Sequence, residues 1–122
     1  MKKKIYTICR MQQKCLNEKR RHFLVSFPFT DFSSAKVRPA LVLSVSSLDV
    51  IIAFISTQLY REEAADVIVA PTIGNRLKKR SVIRLSKLAT IDKKIVLGLL
   101  GVLDNEKLKA VDDGLKVIFG LR

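Results

Sequence analysis

The sequence predicts a mainly β protein: a small barrel or curled antiparallel sheet with one C-terminal helix laid across it. Short apolar segments separated by Pro, Gly and polar residues occupy residues 22–102, and their length and composition are those of strands. Apolar residues then recur every three or four positions near the C-terminus, as in an amphipathic helix. With 122 residues, 48% of them hydrophobic, the chain can form a single domain with its own core.

The first three predicted strands are separated by clear turn signals. HFLVSF at 22–27 alternates in part, and we expect Pro28 to end it because proline cannot donate to a ladder. Residues 28–38 then form a loop. The segments at 39–46 and 50–57 are joined by a tight turn, and the second is apolar enough to be a central strand.

The second half of the sheet is predicted from shorter signals. A strand at 66–70 stops at Pro71, and IGNRLKKR at 73–80 is a basic loop with Gly-Asn turn chemistry. SVIRLSKLATID at 81–92 alternates, and it is either one bent strand or two short ones. IVLGLLGV at 95–102 is apolar, and its two glycines indicate a bulge or a short helical turn.

The helix has the strongest pattern in the chain. Asp104 is a good N-cap, and Gly120 can terminate a helix of about 15 residues. Gly114 is expected to weaken the helix somewhat. The predicted core-facing residues are Leu108, Val111, Leu115, Ile118 and Phe119.

The charge is strongly positive and unevenly distributed. The formal net charge is +12, and residues 1–22 carry eight basic side chains and one acidic one. We therefore expect a basic N-terminal arm at 1–21, mobile or weakly helical, followed by a folded domain at 22–122. Such a charge favours a polyanionic partner, which is a nucleic acid, an acidic protein or an anionic membrane.

Several function classes are excluded by what the sequence lacks. Cys9, Cys15 and His22 are the only Cys and His residues, which is too few for a disulfide framework or a zinc site. There is no nucleotide-binding glycine motif, no nucleophile elbow, no membrane-length apolar run and no secretory signal. We expect a cytoplasmic protein without a cofactor or metal, and we assign these three residues no catalytic role.

Two polar segments interrupt the apolar strands. Arg38 precedes Pro39, which holds it extended at the start of a strand, and a guanidinium suits phosphate oxygens. Ser56, Thr57 and Gln58 end the following strand with three hydrogen-bonding side chains. Counting outward from the tight turn places Arg38 and the Ser56–Thr57 pair on one rim of the sheet. The residue types alone also fit an ordinary surface Arg and an ordinary strand end.

These segments resemble a known family. FPFTDFSSAKVRPALVLS at 27–44 and DVIIAFISTQ at 49–58 are similar to the PemK/MazF toxins of type II toxin–antitoxin systems. LKKRSVIRLSKLATIDKKIVLGLLGVL at 77–103 and the closing helix resemble the C-terminal half of the same family. The resemblance covers about residues 22–121 and implies an SH3-like small barrel of the CcdB/PemK/MazF type that forms a homodimer.

The resemblance also implies an activity. Family members are typically sequence-specific, metal-independent endoribonucleases that cut single-stranded RNA, leave a 2′,3′-cyclic phosphate and a 5′-hydroxyl, and inhibit translation. The implied catalytic residues are Arg38, Ser56 and Thr57, and an acidic antitoxin is the expected protein partner. The expected RNA-binding residues are Phe29, Asp31, Lys36, Gln58, Arg76, Lys78 and Lys79.

Two positions depart from the family pattern. The usual Gly-Asp at the first strand is replaced by Arg20 and Arg21, and the usual Thr is Ser56. A weakened or catalytically degenerate toxin that only binds RNA is therefore an alternative. A further alternative is a non-catalytic toxin of this fold that acts on a protein target such as gyrase.

Overall fold

The computed structural model describes residues 23–30, 35–59 and 64–121. A 3₁₀ turn at Lys93–Ile95 lies between the last two strands of this described part. Its strands and helix are β1 (Phe23–Thr30), β2 (Ala35–Val45), β3 (Asp49–Ser56), β4 (Val67–Val69), β5 (Ser81–Asp92), β6 (Gly98–Val102) and α1 (Asn105–Phe119). The N-terminal arm predicted at 1–21, with its two cysteines, and His22 lie outside the described residues.

The strands form one curled antiparallel sheet in the order β4-β5-β3-β2-β1-β6. The predicted fold class is confirmed, and β3 is central, as its composition indicates. Its residues are buried on both faces of the sheet: Ala53 and Ile55 contact one apolar cluster, whereas Val50 and Ile52 contact another. This explains why the strand reads as an almost continuous apolar run rather than a simple alternation.

The first face of the sheet encloses the larger core and carries the helix. Val111 of α1 is fully buried against this cluster, and Leu108 and Leu115 pack at its edge. The fully buried sheet residues of the same cluster include Leu24, Leu41, Ala53 and Leu85. Burial of these side chains supplies the main driving force for folding.

The ends of α1 are those that the sequence predicts. The Asp104 side chain accepts a hydrogen bond from the Lys107 amide at 2.8 Å, and Gly120 ends the helix with a φ of 66°. The predicted core face is wrong at its C-terminal end. Ile118 is 37% exposed and Phe119 is 58% exposed, because α1 contacts only β4 and β5 substantially and its last turn extends past the core.

Gly114 has a packing role that its helix propensity does not reveal. It is buried, and a Cβ at this position would lie 2.5 Å from Leu85 Cδ1 and 2.6 Å from the carbonyl oxygen of Ala65. The glycine therefore lets α1 approach the chain entering β4 more closely than any other residue would.

The two edges of the curled sheet meet through a turn. The amide of Val102 in β6 donates to the carbonyl of Gly74, after β4, at 2.9 Å. Gly101 lies against this turn, since a Cβ there would be 2.5 Å from the same carbonyl oxygen. Asn75 holds the turn, because its side chain accepts from the Thr72 and Leu77 amides at 2.9 Å each. The barrel is thus closed by a turn and not by a β4–β6 ladder.

Proline does not end β1 as expected. Pro28 lies inside the strand and pairs with Val37, while the pairing of β1 with β6 reaches only Ser26. Pro39 is likewise inside β2, one residue before the pairing with β3 begins at Ala40. Both prolines occupy stretches with a ladder on one side only, where a missing N–H is tolerated. The loop predicted at 28–38 is therefore wrong at residues 28–30 and 35–38, which lie in β1 and β2.

The two ambiguous segments are resolved. Residues 81–92 form one bent strand, with a register shift where Ala53 pairs with Leu88 but Phe54 pairs with Arg84. Residues 95–102 contain both of the expected features: the end of a 3₁₀ turn and a β6 strand with a register shift opposite Leu24 and Val25.

The Gly114→Ala variant tests the close approach of α1. Helix propensity alone predicts stabilisation by about 1 kcal/mol. We expect the opposite, a loss of about 1 to 2 kcal/mol, because backbone and Leu85 must shift to make room for the methyl group. Urea unfolding measures the change. Lys109→Ala, at an exposed site on the same helix, is the control and should stay within about 0.5 kcal/mol of wild type.

Candidate active site

An open cleft of about 470 Å³ lies at the ends of β2 and β3. It is on the second face of the sheet, opposite α1, since Phe54 packs with the second apolar cluster and lines the cleft. The residues that line it are Phe29, Arg38, Phe54, Ile55, Ser56, Thr57, Gln58, Arg84 and Lys87. Five of them were expected from the sequence.

The hairpin register explains how Arg38 and Ser56 come together. Ala40 pairs with Phe54 across β2 and β3, so extending the register by two residues sets Arg38 opposite Ser56. Side chains opposite each other in adjacent strands point to the same face. Because the alternation has a period of two, Arg38 and Ser56 also share this face with Ala40 and Phe54. A guanidinium and a hydroxyl therefore stand side by side over the cleft.

The Ser56 hydroxyl is held by the chain that follows it. Ser56 Oγ accepts a hydrogen bond from the backbone amide of Gln58 at 3.0 Å. A hydroxyl that accepts one hydrogen bond still has a proton to donate and a second lone pair. Ser56 is partly buried, whereas Thr57 and Gln58 are exposed at the rim. The strand end thus presents three polar side chains at different depths.

Aromatic rings form one wall of the cleft. Phe54 contacts Phe27 at a centroid distance of 5.7 Å and Phe29 at 5.8 Å, the latter edge to face. Phe27 is buried, but Phe29 is 37% exposed. The packing below Phe29 fixes its ring, and its outer surface remains available for a planar ligand.

Arg84 is a cleft residue that the sequence analysis missed. It lies in β5 directly opposite Phe54, and its Nε is 3.0 Å from Asp66 Oδ2 in a buried ion pair. Asp66 Oδ1 also accepts from the Leu85 amide at 3.0 Å. A charge inside a segment of apolar strand was the available signal, because a buried Arg needs a carboxylate partner.

Lys87 was missed for a different reason. Consecutive residues Ala53 and Phe54 pair with Leu88 and Arg84, so residues 85–87 have no partner in β3 and form a bulge. Bulges re-aim side chains and are frequent beside active sites. No motif marked this one, and simple alternation would have placed Lys87 on the face opposite Arg84.

The cleft is cationic. Three of its nine lining residues are Arg38, Arg84 and Lys87, and none of the nine is acidic. The buried carboxylate of Asp66 balances the positive charge of Arg84. The exposed charges of the cleft are therefore those of Arg38 and Lys87. Together with hydroxyl and amide donors and an exposed aromatic ring, this is the donor set that binds a phosphate and an unstacked base.

A comparison with protein families identifies the family of the chain. Residues 20–119 match the family described as PemK-like, MazF-like toxin of type II toxin–antitoxin system. The match covers most of the chain and includes every cleft residue. The chain belongs to this toxin family.

Several solved structures have a similar fold. The toxin superposes on Mycobacterium tuberculosis toxin MazF-mt6 with a TM-score of 0.68 and 24% identity, over 84% of this chain and 99% of that one. For a mycobacterial endoribonuclease in complex with its cognate antitoxin, the TM-score is 0.66 and the identity 17%, over 84% of this chain and 96% of that one. For a MazE–MazF structure from Deinococcus radiodurans, the TM-score is 0.60 and the identity 20%, over 84% of this chain and 96% of that one. No curated protein sequence matches the chain.

Four other expected binding residues of the toxin belong to the described part of the chain but do not line the cleft. Lys36 is exposed in β2 opposite Phe29. The basic loop residues Arg76, Lys78 and Lys79 are exposed beyond the Asn75 turn, where Arg76 has a φ of 56°. Asp31 lies outside the described residues.

Two further features concern the described part of the toxin only. Across residues 23–30, 35–59 and 64–121 we find no cluster of His, Cys, Asp or Glu side chains suited to a metal ion. Over the same ranges, α1 is the longest helix, and no helix has the length and hydropathy to cross a bilayer.

Asp66→Asn tests the buried ion pair of the toxin. The amide retains an oxygen for the Leu85 amide but removes the charge facing Arg84, so we expect a loss of about 3 kcal/mol in the free energy of unfolding. Urea unfolding gives the value. The double variant Asp66→Asn/Arg84→Met removes both charges and should recover most of the loss. Equal stability of Asp66→Asn and wild type would contradict a buried pair.

Proposed function

We propose that this toxin is a sequence-specific, metal-independent endoribonuclease that cleaves single-stranded RNA and thereby inhibits translation. The observation that carries the proposal is the shared position of Arg38 and Ser56 over one cationic cleft with an exposed aromatic wall. Membership of a family whose solved relatives include structures named endoribonuclease supports it.

The chemistry needs little from the protein beyond position and charge. The 2′-hydroxyl of the RNA attacks the adjacent phosphorus, the bond to the 5′ oxygen breaks, and a 2′,3′-cyclic phosphate and a 5′-hydroxyl result. The 2′ oxygen loses one proton and the leaving 5′ oxygen gains one. Orientation of the nucleophile and stabilisation of charge on the pentacoordinate phosphorus can supply most of the rate acceleration.

Each cleft residue has a role that suits its chemistry. The Arg38 guanidinium donates to the non-bridging phosphate oxygens and shares a hydrogen bond with the leaving 5′ oxygen. The Ser56 hydroxyl donates to a non-bridging oxygen or orients the 2′-hydroxyl, and the Gln58 amide fixes its position. Thr57 and the Gln58 side chain assist at the rim, where they are exposed.

Recognition of the strand extends beyond the reacting phosphate. Phe29 stacks an unpaired base, which is the usual way that proteins bind single-stranded RNA. Lys36, Arg76, Lys78 and Lys79 guide the backbone of the RNA by their charge. An acidic antitoxin segment that covers the Arg38 rim would neutralise the toxin, and a homodimer would present two such clefts.

Arg38→Ala tests the site directly. We expect at least about a hundredfold loss of cleavage, because the variant removes a donor that stabilises the transition state. Arg38 is exposed, so the fold should survive, which circular dichroism checks. The assay follows a long single-stranded RNA in EDTA, with end-group analysis for the cyclic phosphate. Lys109→Ala, on the opposite side of the sheet, is the control.

The outcomes separate the alternatives. Cleavage at discrete sites by wild type and the control, but not by Arg38→Ala, supports the proposal. Wild-type rates from Arg38→Ala would place the centre elsewhere. If well-folded wild type binds RNA but leaves it intact, the toxin is catalytically degenerate, and if it does neither, gyrase supercoiling is the next assay.

Phe29→Ala tests base stacking. Removing the exposed ring should weaken RNA binding by about 1 to 3 kcal/mol, whereas Phe29→Tyr keeps an aromatic face and should bind within about twofold of wild type. Fluorescence anisotropy with an RNA that carries a 2′-deoxy nucleotide at the cut site gives the dissociation constants. Equal binding by the Ala and Tyr variants would argue against stacking.

A further inference from the structure

Two cations of the cleft have no part in the proposed chemistry. Arg84 and Lys87 line it together with Arg38 and Ser56, but they belong to β5 and not to the β2–β3 hairpin. The inference drawn from them rests on the proposed function, because it concerns how the same cleft holds its RNA.

The bulge in β5 places both cations on one face. In a regular strand, residues three apart point to opposite faces. Here the phase changes: Leu85 packs in the first cluster, as does Leu88, whereas Ala89 and Ile91 pack in the second. Lys87 thus joins the face of Ala89 and Ile91, which is the cleft face. In a β5 strand without the bulge, Lys87 would point to the face opposite the cleft.

Arg84 is pre-positioned by the ion pair. Its Nε lies 3.0 Å from Asp66 Oδ2, and that carboxylate is fully buried and fixed by the Leu85 amide. Asp66 immediately precedes β4, on the side of β5 away from β3, so the guanidinium is drawn away from Arg38. A fixed guanidinium loses little conformational entropy when it binds a ligand.

The two arginines stand on opposite sides of the strand that carries Ser56. Arg38 is in β2 and Arg84 is in β5, with β3 between them. Two strand spacings and a two-residue offset separate their Cα atoms by about 12 Å in a flat sheet. A ligand that contacts the cations on both sides of Ser56 reaches across β3, as a polynucleotide strand can.

We infer that Lys87 and Arg84 form a second phosphate subsite, which binds a backbone phosphate of the RNA next to the one that is cleaved. Lys87 is exposed and supplies most of the charge, while Arg84, whose side chain is 9% exposed, adds a guanidinium held in place at the cleft wall. Phe54 forms an apolar floor between the subsite and Arg38, which strengthens both electrostatic contacts. The bulge is the structural device that creates this subsite.

The salt dependence of binding measures the subsite without requiring cleavage. Each phosphate contact to single-stranded nucleic acid contributes about 0.7 to the slope of log K against log salt. Lys87→Ala should reduce that slope by about 0.7 and weaken binding about tenfold at low salt. The ligand is an RNA oligonucleotide with one 2′-deoxy nucleotide at the cut site, and the readout is fluorescence anisotropy from 50 to 300 mM salt (about a sixfold range).

Control variants separate this subsite from general charge. Lys109→Ala removes the same charge from the opposite side of the sheet and should keep the wild-type slope. Arg84→Lys retains the positive charge and a partner for Asp66 but loses the planar guanidinium with its paired N–H groups. The affinity for RNA should therefore fall severalfold, with the salt slope unchanged. A wild-type slope and affinity in Lys87→Ala would overturn the subsite, and unchanged affinity in Arg84→Lys would overturn the assignment of Arg84 as a ligand.

A neutral linkage locates the phosphate. Methylphosphonate replaces one phosphate at a time on either side of the 2′-deoxy position. At one linkage, wild type should lose about tenfold in affinity, and Lys87→Ala should lose nothing further there. If the affinity lost through the neutral linkage and the affinity lost through Lys87→Ala simply add at every linkage, the contact between Lys87 and a phosphate is overturned. Wild type that binds without cutting intact RNA would refute the proposed activity alone, whereas wild type that binds no RNA would refute both.

Discussion

The register of β3 between β2 and β5 is the constraint on which the cleft depends. β3 is buried on both faces, so a slip by one residue would exchange Val50 and Ile52 with Ala53 and Ile55 and disrupt two apolar clusters at once. That cost fixes the strand in place. The same register sets Arg38 opposite Ser56 on one side and Arg84 opposite Phe54 on the other. Apolar packing therefore decides the arrangement of the polar groups.

Much of this could be predicted from the sequence. The helix ends follow from the chemistry of Asp104 and Gly120, and the hairpin follows from a tight turn between two apolar runs. Counting from that turn was enough to bring Arg38 and the Ser56–Thr57 pair to one rim. It could not decide between the two hydroxyls, because a one-residue register shift between Val42 and Ser44 moves the position opposite Arg38 from Thr57 to Ser56. Their roles in RNA cleavage remain proposals.

The failures have a common physical origin. Sequence periodicity describes one element, whereas these features depend on where a neighbouring element stops. Pro28 continues its strand because the β6 ladder ends at Ser26, and Phe119 is exposed because the sheet under α1 ends first. Lys87 reaches the cleft because β5 gains three residues that β3 does not match. None of these boundaries can be predicted from the local sequence pattern of the affected strand or helix.

The turn that closes the barrel has a consequence for how this chain can diverge. Its hydrogen bond to β6 joins two backbone groups, Gly74 and Val102, and the neighbouring Ile73 side chain is 97% exposed. In the described turn, Gly101 by its lack of a Cβ, Asn75 by its side-chain amide and Thr72 by its hydroxyl are tied to particular side-chain chemistry. The exposed side chains of this turn can therefore change during evolution without breaking the contact that closes the barrel. Such changes would alter which molecules recognise this surface.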